Sequence, residues 1–263
     1  VSGEVSPHRP ADDAPVPNGG RALNVLVTGG SGAAGIAVAR ALRQAGFRVF
    51  TVGSDRRRIE DAARNAGDGV TPLVCDLADL SAVQDLRETI SGTAGPLDAV
   101  IHLVGGWRGA TGIEDQRDDD WEFLERGAIT TLRNVTRVFY ADLAVSPNGR
   151  FAMVSSTAVD KPLAANASYA AAKAAAEAWT MAMAEGLGRS AAGPDSPDGT
   201  GSEPGSAAVV LVVKALVDAD VRKRHPERTF PGATDVEELA AAVVGLFSRP
   251  ARELNGRRLV LAS

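Results

Sequence analysis

The sequence predicts an α/β fold: a doubly wound, seven-stranded parallel sheet with helices on both faces. Three observations predict it. Apolar runs of strand length alternate with longer segments of helical periodicity along almost the whole chain, as in successive βαβ units with right-handed crossovers. Those runs lack in–out alternation and read as strands covered on both faces. The first of them ends in a glycine-rich turn that opens a helix.

Each element has its own justification. "ALNVLVTGG" (22–30) is a continuous apolar run closed by glycine, and "GIAVARALRQAG" (35–46) has apolar spacing near 3.6 with a glycine stop. "FRVFTVGS" (47–54) is the second strand and "RRRIEDAARNAG" (56–67) the second helix. "VTPLVCDL" (70–77) and "LDAVIHLVGG" (97–106) are the third and fourth strands, with a helix over 80–92 between them. A helix over about 119–142 precedes the fifth strand, "GRFAMVSST" (149–157), and a long one over about 166–187 follows it. "AAVVLVVKALV" (207–217), a helix over 235–248 and "GRRLVLA" (256–262) complete the series, so 21–263 reads as a single domain. Residues 1–20, rich in Pro, Gly and Asp, read as a disordered tail, and 188–206 as a flexible insertion at the surface.

Composition removes several functions. A net charge of −5 without a long basic run argues against a nucleic-acid binder. The single Cys75 excludes an internal disulfide, and the three histidines (His8, His102, His225) have no zinc spacing. No apolar run has membrane-spanning length and none resembles a signal peptide, so a cytoplasmic protein without membrane partners is expected.

Gly30-x-Gly32-x-x-Gly35 lies between the first strand and the first helix. Gly29 and Gly30 allow the tight turn, Gly32 lets backbone approach a pyrophosphate, and Gly35 lets helix and strand pack closely. The helix N-terminus then offers free N–H groups to phosphate. This is the Rossmann-type dinucleotide signature. An NAD-specific site has an acid at the end of the second strand. That position is Gly53 or Ser54, with Asp55 late and Arg56 next to it. A missing acid beside an arginine favours NADP, with NAD possible. Asp55 contacts the ribose or caps the next helix. Asp76, ending the third strand, meets the adenine or caps.

"SYAAAKAAAEAW" (168–179) carries one of the two tyrosines four residues before a lysine. That spacing puts Tyr169 and Lys173 on one helix face. An adjacent ammonium lowers the pKa of a phenol from about 10 towards the working range, and the same lysine can bind a ribose hydroxyl. Ser155 and Ser156 end the fifth strand at the sheet's carboxyl edge, where a hydroxyl could polarise a substrate carbonyl. Alanine over the rest of the helix suits close helix contact between subunits.

Together these residues resemble the short-chain dehydrogenase/reductase family over about 22–263. The resemblance implies a catalytic trio of Ser156, Tyr169 and Lys173. It implies cofactor contacts from Ser31 and Ala33 in the turn, Ser54 to Arg56, Asp76 and Leu77, Val104 and Gly105 after strand four, and Val217 after strand six. It further implies a small-molecule substrate and a homodimer or homotetramer. "GGSGAAG", "VGGWRGA" (104–110) and a short segment before the last helix are similar to dihydropteridine reductase-like members, with Trp107 stacking on a flat ring or packing in its loop. Three positions depart from the family: Ala128 stands where it has asparagine, Lys214-Ala215 where it has Pro-Gly, and His102 where asparagine is usual. His102 is a strand-end structural residue or touches ligand. A nucleotide sensor without turnover is the alternative that the departures suggest and the intact trio opposes.

Overall fold

The computed structural model describes residues 21–192 and 205–261. The predicted tail, 1–20, and residues 193–204 of the predicted insertion lie outside the described residues.

Seven parallel strands form the sheet: β1 (Asn24–Thr28), β2 (Arg48–Gly53), β3 (Val70–Val74), β4 (Ala99–His102), β5 (Arg150–Ser156), β6 (Ala207–Val213) and β9 (Arg257–Val260). Their spatial order is β3-β2-β1-β4-β5-β6-β9, so the chain builds outward from β1 to β3, returns, and continues from β4 to the far edge. The reversal opens a crevice at the carboxyl ends of β1 and β4, the switch point where such sheets bind ligands. The order follows from burial. Every residue of β1, β4 and β6 is buried, as strands covered by helices on both faces require.

On one face lie α1 (Ala33–Gln44) and α8 (Val236–Gly245), packed over Val25, Val27 and Val209. α2 (Arg56–Ala66) flanks β2 and β3 beside α1. On the other face α3 (Leu80–Ala94), α5 (Thr131–Val145) and α6 (Ala167–Ala192) pack over Leu26, Phe50 and Phe151. α7 (Ala219–Arg224) and α9 (Ala251–Leu254) are short connectors. At the opposite sheet edge from the crevice, buried Asp98 accepts from the Asn24 backbone N–H and the Ser146 hydroxyl, each at 2.8 Å, and pairs with Arg21. That node fixes the start of β1 against β4.

Three elements differ from the sequence reading. The helix expected over 119–142 is α4 (Asp118–Glu125), a π-helical turn (Arg126–Thr130) and α5 in continuous succession. The long helix runs to Ala192, five residues into the expected insertion. The sixth strand stops at Val213. The chain bends at Lys214–Ala215, and β7 (Leu216–Val217) pairs instead with β8 (Thr234–Asp235) in a separate two-stranded ladder. Local apolarity ran through the bend, so the pattern could not reveal it.

Candidate active site

The glycine turn has the expected geometry. Gly29 sits at φ +72°, and a Cβ there would lie 2.8 Å from the Leu103 carbonyl carbon. At Gly35 a Cβ would lie 2.5 Å from the Gly29 oxygen, so only glycine lets α1 approach the turn. Gly32 is different: a Cβ would meet only the Gly29 oxygen, at 3.6 Å. Its freedom leaves an open cradle at the head of α1. No side chain caps that helix and no acid occupies its first turn, so its free N–H groups suit a phosphate. Gly30 is buried under the turn, and Ser31 and Gly32 line the cavity beside it.

That cavity, about 490 Å³, runs past the ends of β2 and β3 and is lined by Ser54, Asp55, Arg58, Cys75, Asp76 and Leu77. At Gly53 a Cβ would stand 2.5 Å from Ser31 Oγ, so an acid there requires the serine to turn away. Asp55 accepts from the Arg58 backbone N–H at 2.8 Å and is the N-cap of α2. Arg56 pairs along the helix with Glu60 and does not line the cavity. Arg58, one turn in, does line it, and its guanidinium has no carboxylate partner among the described residues. Asp76 accepts from the Ala78 backbone N–H and from Arg126 at 2.6 Å.

A second cavity of about 400 Å³ continues from the first and shares Leu103, Val104 and Gly105 with it. Tyr169, Lys173, Ser155 and Trp107 line it, and so does Ala34 of α1, whereas Ala33 lies in a different groove. The i, i+4 pair is therefore on one face and aimed into one space. Lys173 is buried, donates to the Val154 carbonyl at 2.9 Å, and would lie 3.3 Å from a Cβ on Gly105. Burial pushes its pKa down to about 8, against a smaller upward pull from Glu177 one turn on. Glu177 is itself held by Arg258 at 2.7 Å.

Ser156 is buried, accepts from the Ala158 backbone N–H at 3.1 Å and, unlike Ser155, does not line the cavity, although it acts electrostatically on the Tyr169 phenol. The phenol's pKa is raised above its ordinary value, because burial outweighs the lowering effect of Ser156. The expectation that Lys173 lowers it is thereby corrected. The ammonium is directed at the Val154 carbonyl and is itself weakened by burial. The neighbouring Ser155 hydroxyl is buried without a hydrogen-bond partner among the described residues, and its residue lines the second cavity.

Val217 is buried and does not line the cavity; Leu216 does. His102 is buried between Thr28 (2.9 Å to Nδ1) and Thr131 (3.3 Å to Nε2), and burial pushes its pKa down to about 3. It is a neutral tie between β1, β4 and α5. Ala128 falls in the π-helical turn, packed with Leu124, Ala172 and Tyr169. Such turns often mark functional sites, and this one carries Ala128 beside Tyr169. Sequence reasoning missed Arg58, Phe123, Thr131 and Leu216. Arg58 was legible as the third arginine of the "RRR" run, one helical turn past the strand end. Among the described residues no group of His, Cys, Asp and Glu suits a metal ion, and no helix is long and apolar enough to cross a membrane.

Comparison with known proteins bears on this geometry. The profile of the short chain dehydrogenase family matches residues 23–191. A gluconate 5-dehydrogenase from Gluconobacter oxydans is 31% identical over 246 residues, 90% of this chain and 91% of the relative. A gluconate 5-dehydrogenase from Burkholderia cenocepacia, solved with NADP and tartrate, superposes with a TM-score of 0.74 at 20% identity, over 91% of this chain and 93% of that one. An NAD+-bound xylitol dehydrogenase gives 0.75 at 19% identity, over 91% and 97%. The two solved structures carry the fold alone.

Proposed function

The chain belongs to the short-chain dehydrogenase family, and on that premise we propose that it is an NADP(H)-linked oxidoreductase acting on a carbonyl or imine carbon through Ser156, Tyr169 and Lys173. One observation carries the reading: the cavity holding Tyr169 and Lys173 opens through Leu103, Val104 and Gly105 into the cavity below the glycine turn. A dinucleotide laid along both would have its phosphates at the head of α1 and its reactive ring beside the phenol.

The nicotinamide supplies or accepts the hydride when bound. The rest is done by side chains. Tyr169 holds its proton in the free protein, because its pKa is raised, and so is ready to give it to the oxygen or nitrogen of a substrate being reduced. Ser156 orients that substrate atom and, by lowering the pKa of the phenol, favours the phenolate left behind. Lys173 holds the ribose and adds positive charge beside the phenolate once it forms. Solvent returns the proton, since Ala128 offers no side chain to organise a relay. The open guanidinium of Arg58, with Ser54, supports NADP over NAD by facing a 2′-phosphate.

A narrower reading, reduction of a quinonoid pterin, is favoured by Trp107. Its ring lines the second cavity while 64% exposed, free to stack on a flat substrate. Pairing of subunits is supported by the outer face of α5 and α6. Exposed Ala171, Ala174, Ala175 and Ala178 lie on α6, and Tyr140, Trp179 and Met183 line an open groove. The test is NADPH oxidation with a panel of ketones, quinones and quinonoid dihydropterin, beside separate NADPH and NADH titrations. Turnover of at least one class with tighter NADPH binding is expected. Tight NADPH binding without turnover of any class would leave a nucleotide sensor and overturn the proposal.

A further inference from the structure

The catalytic cavity wall contains two lysines, Lys173 and Lys214, and not one aspartate or glutamate. Lys173 is buried and committed to the Val154 carbonyl. Lys214 is exposed at the bend between β6 and β7, where the similar family has proline. Its stem passes Gly232, with Cδ 3.5 Å from where a Cβ on that glycine would stand, and Nζ donates to the Pro231 carbonyl at 2.7 Å. Among the described residues that neutral acceptor is its sole partner, which leaves the charge without a carboxylate and two of the three ammonium donors free. The arginines nearby are not in this state: Arg108 pairs with Asp120, Arg126 with Asp76, and Arg222 with Asp235. The rest of the wall is largely apolar, with Leu103, Val104, Val213 and Leu216. Charge at its rim is therefore screened less than on an open surface.

Resting on the oxidoreductase reading above, we infer that Lys214 is a specificity residue that anchors the negative charge of the substrate, so that the preferred substrate is a small keto acid rather than a neutral ketone. The carbonyl lies at Tyr169 and the carboxylate reaches the ammonium at the bend. Lysine on a flexible stem accepts a range of spacings between the two groups.

The experiment uses matched pairs, acetoacetate with methyl acetoacetate and 5-oxohexanoate with its methyl ester, on wild type, Lys214→Met and Lys214→Arg. NADPH affinity is measured for each form, and so is binding of malonate, which has no reducible carbonyl, to the NADP-loaded protein. Wild type is expected to have the lower KM for the acid of each pair. Lys214→Met should raise KM for the acid about 10- to 100-fold and for the ester under about threefold, with kcat little changed, as loss of uniform binding does. Lys214→Arg should restore most of the acid preference. Malonate binding that depends on Lys214 supports the anchor even if no pair turns over, which would sink only the oxidoreductase reading. Equal losses for acid and ester overturn the anchor, as does neutral-ketone turnover without acid preference. So does weakened NADPH binding without discrimination, which would give Lys214 to the cofactor.

Discussion

Replacing Lys173 with methionine should make the free protein more stable while abolishing its turnover. Burial lowers the lysine's pKa from 10.5 to about 8, which corresponds to about 3 kcal/mol of penalty for keeping it charged at pH 7. Methionine nearly matches its volume and carries no charge. The substitution loses the hydrogen bond to the Val154 carbonyl, worth about 1 kcal/mol. It does not orphan Glu177, which stays paired with Arg258. The net expectation is a gain of about 2 kcal/mol at pH 7, or about 4–8 °C in Tm for a domain of this size. The sign follows from linkage. Between about pH 8 and 10.5 the unfolded lysine binds more proton than the folded one, so wild-type stability rises with pH across that window. The variant's advantage is full below pH 8 and gone by about pH 10.5. Thermal or denaturant unfolding of both forms at pH 7 and pH 10, without cofactor, reads this directly. A variant that is less stable at pH 7, by the same amount at both pH values, would refute the view of Lys173 as a buried charge retained for function.

Other substitutions test neighbouring steps. Arg58→Ala should weaken NADPH about 10-fold or more and leave NADH within about twofold, by titration, because a charge-assisted contact is worth about 1.5–3 kcal/mol; equal effects on both would remove Arg58 from 2′-phosphate recognition. Gly35→Ala forces a Cβ to within 2.5 Å of the Gly29 oxygen. It should cost about 1–3 kcal/mol in denaturant unfolding and loosen both cofactors together. Selective loss of one would mean that the turn does not serve the shared pyrophosphate.

The inner strands were readable because parallel strands buried on both faces leave unbroken apolar runs, and the exposed edge strands β3 and β9 were found, within a few residues like the rest, from their place in the strand–helix alternation. What escaped depends on tertiary contacts. The bend at Lys214–Ala215 lies inside an apolar run, and only its pairing with Thr234 and Asp235 turns β7 out of the sheet. The π-helical turn at Arg126–Thr130 changes no periodicity strongly enough to show in a single sequence. At the site, spacing sufficed to bring Tyr169 and Lys173 together, since i, i+4 is a local property of a helix. Electrostatics was less legible. The sequence says that a lysine neighbours a tyrosine, but the depth of burial decides the sign of each shift, and here it raised the phenol and weakened the ammonium. Arg58 displaced Arg56 for a similar reason: helix phase, set by where α2 begins, decides which arginine meets the cavity.

The most direct test of the account is Tyr169→Phe, measured for NADPH binding and for turnover of whichever carbonyl substrate the wild type reduces. Removing one hydroxyl from a packed ring should leave NADPH affinity within about threefold and lower kcat by at least about 100-fold, as loss of a general acid does. Turnover retained at the wild-type rate with NADPH bound would contradict the assignment of the proton to this phenol.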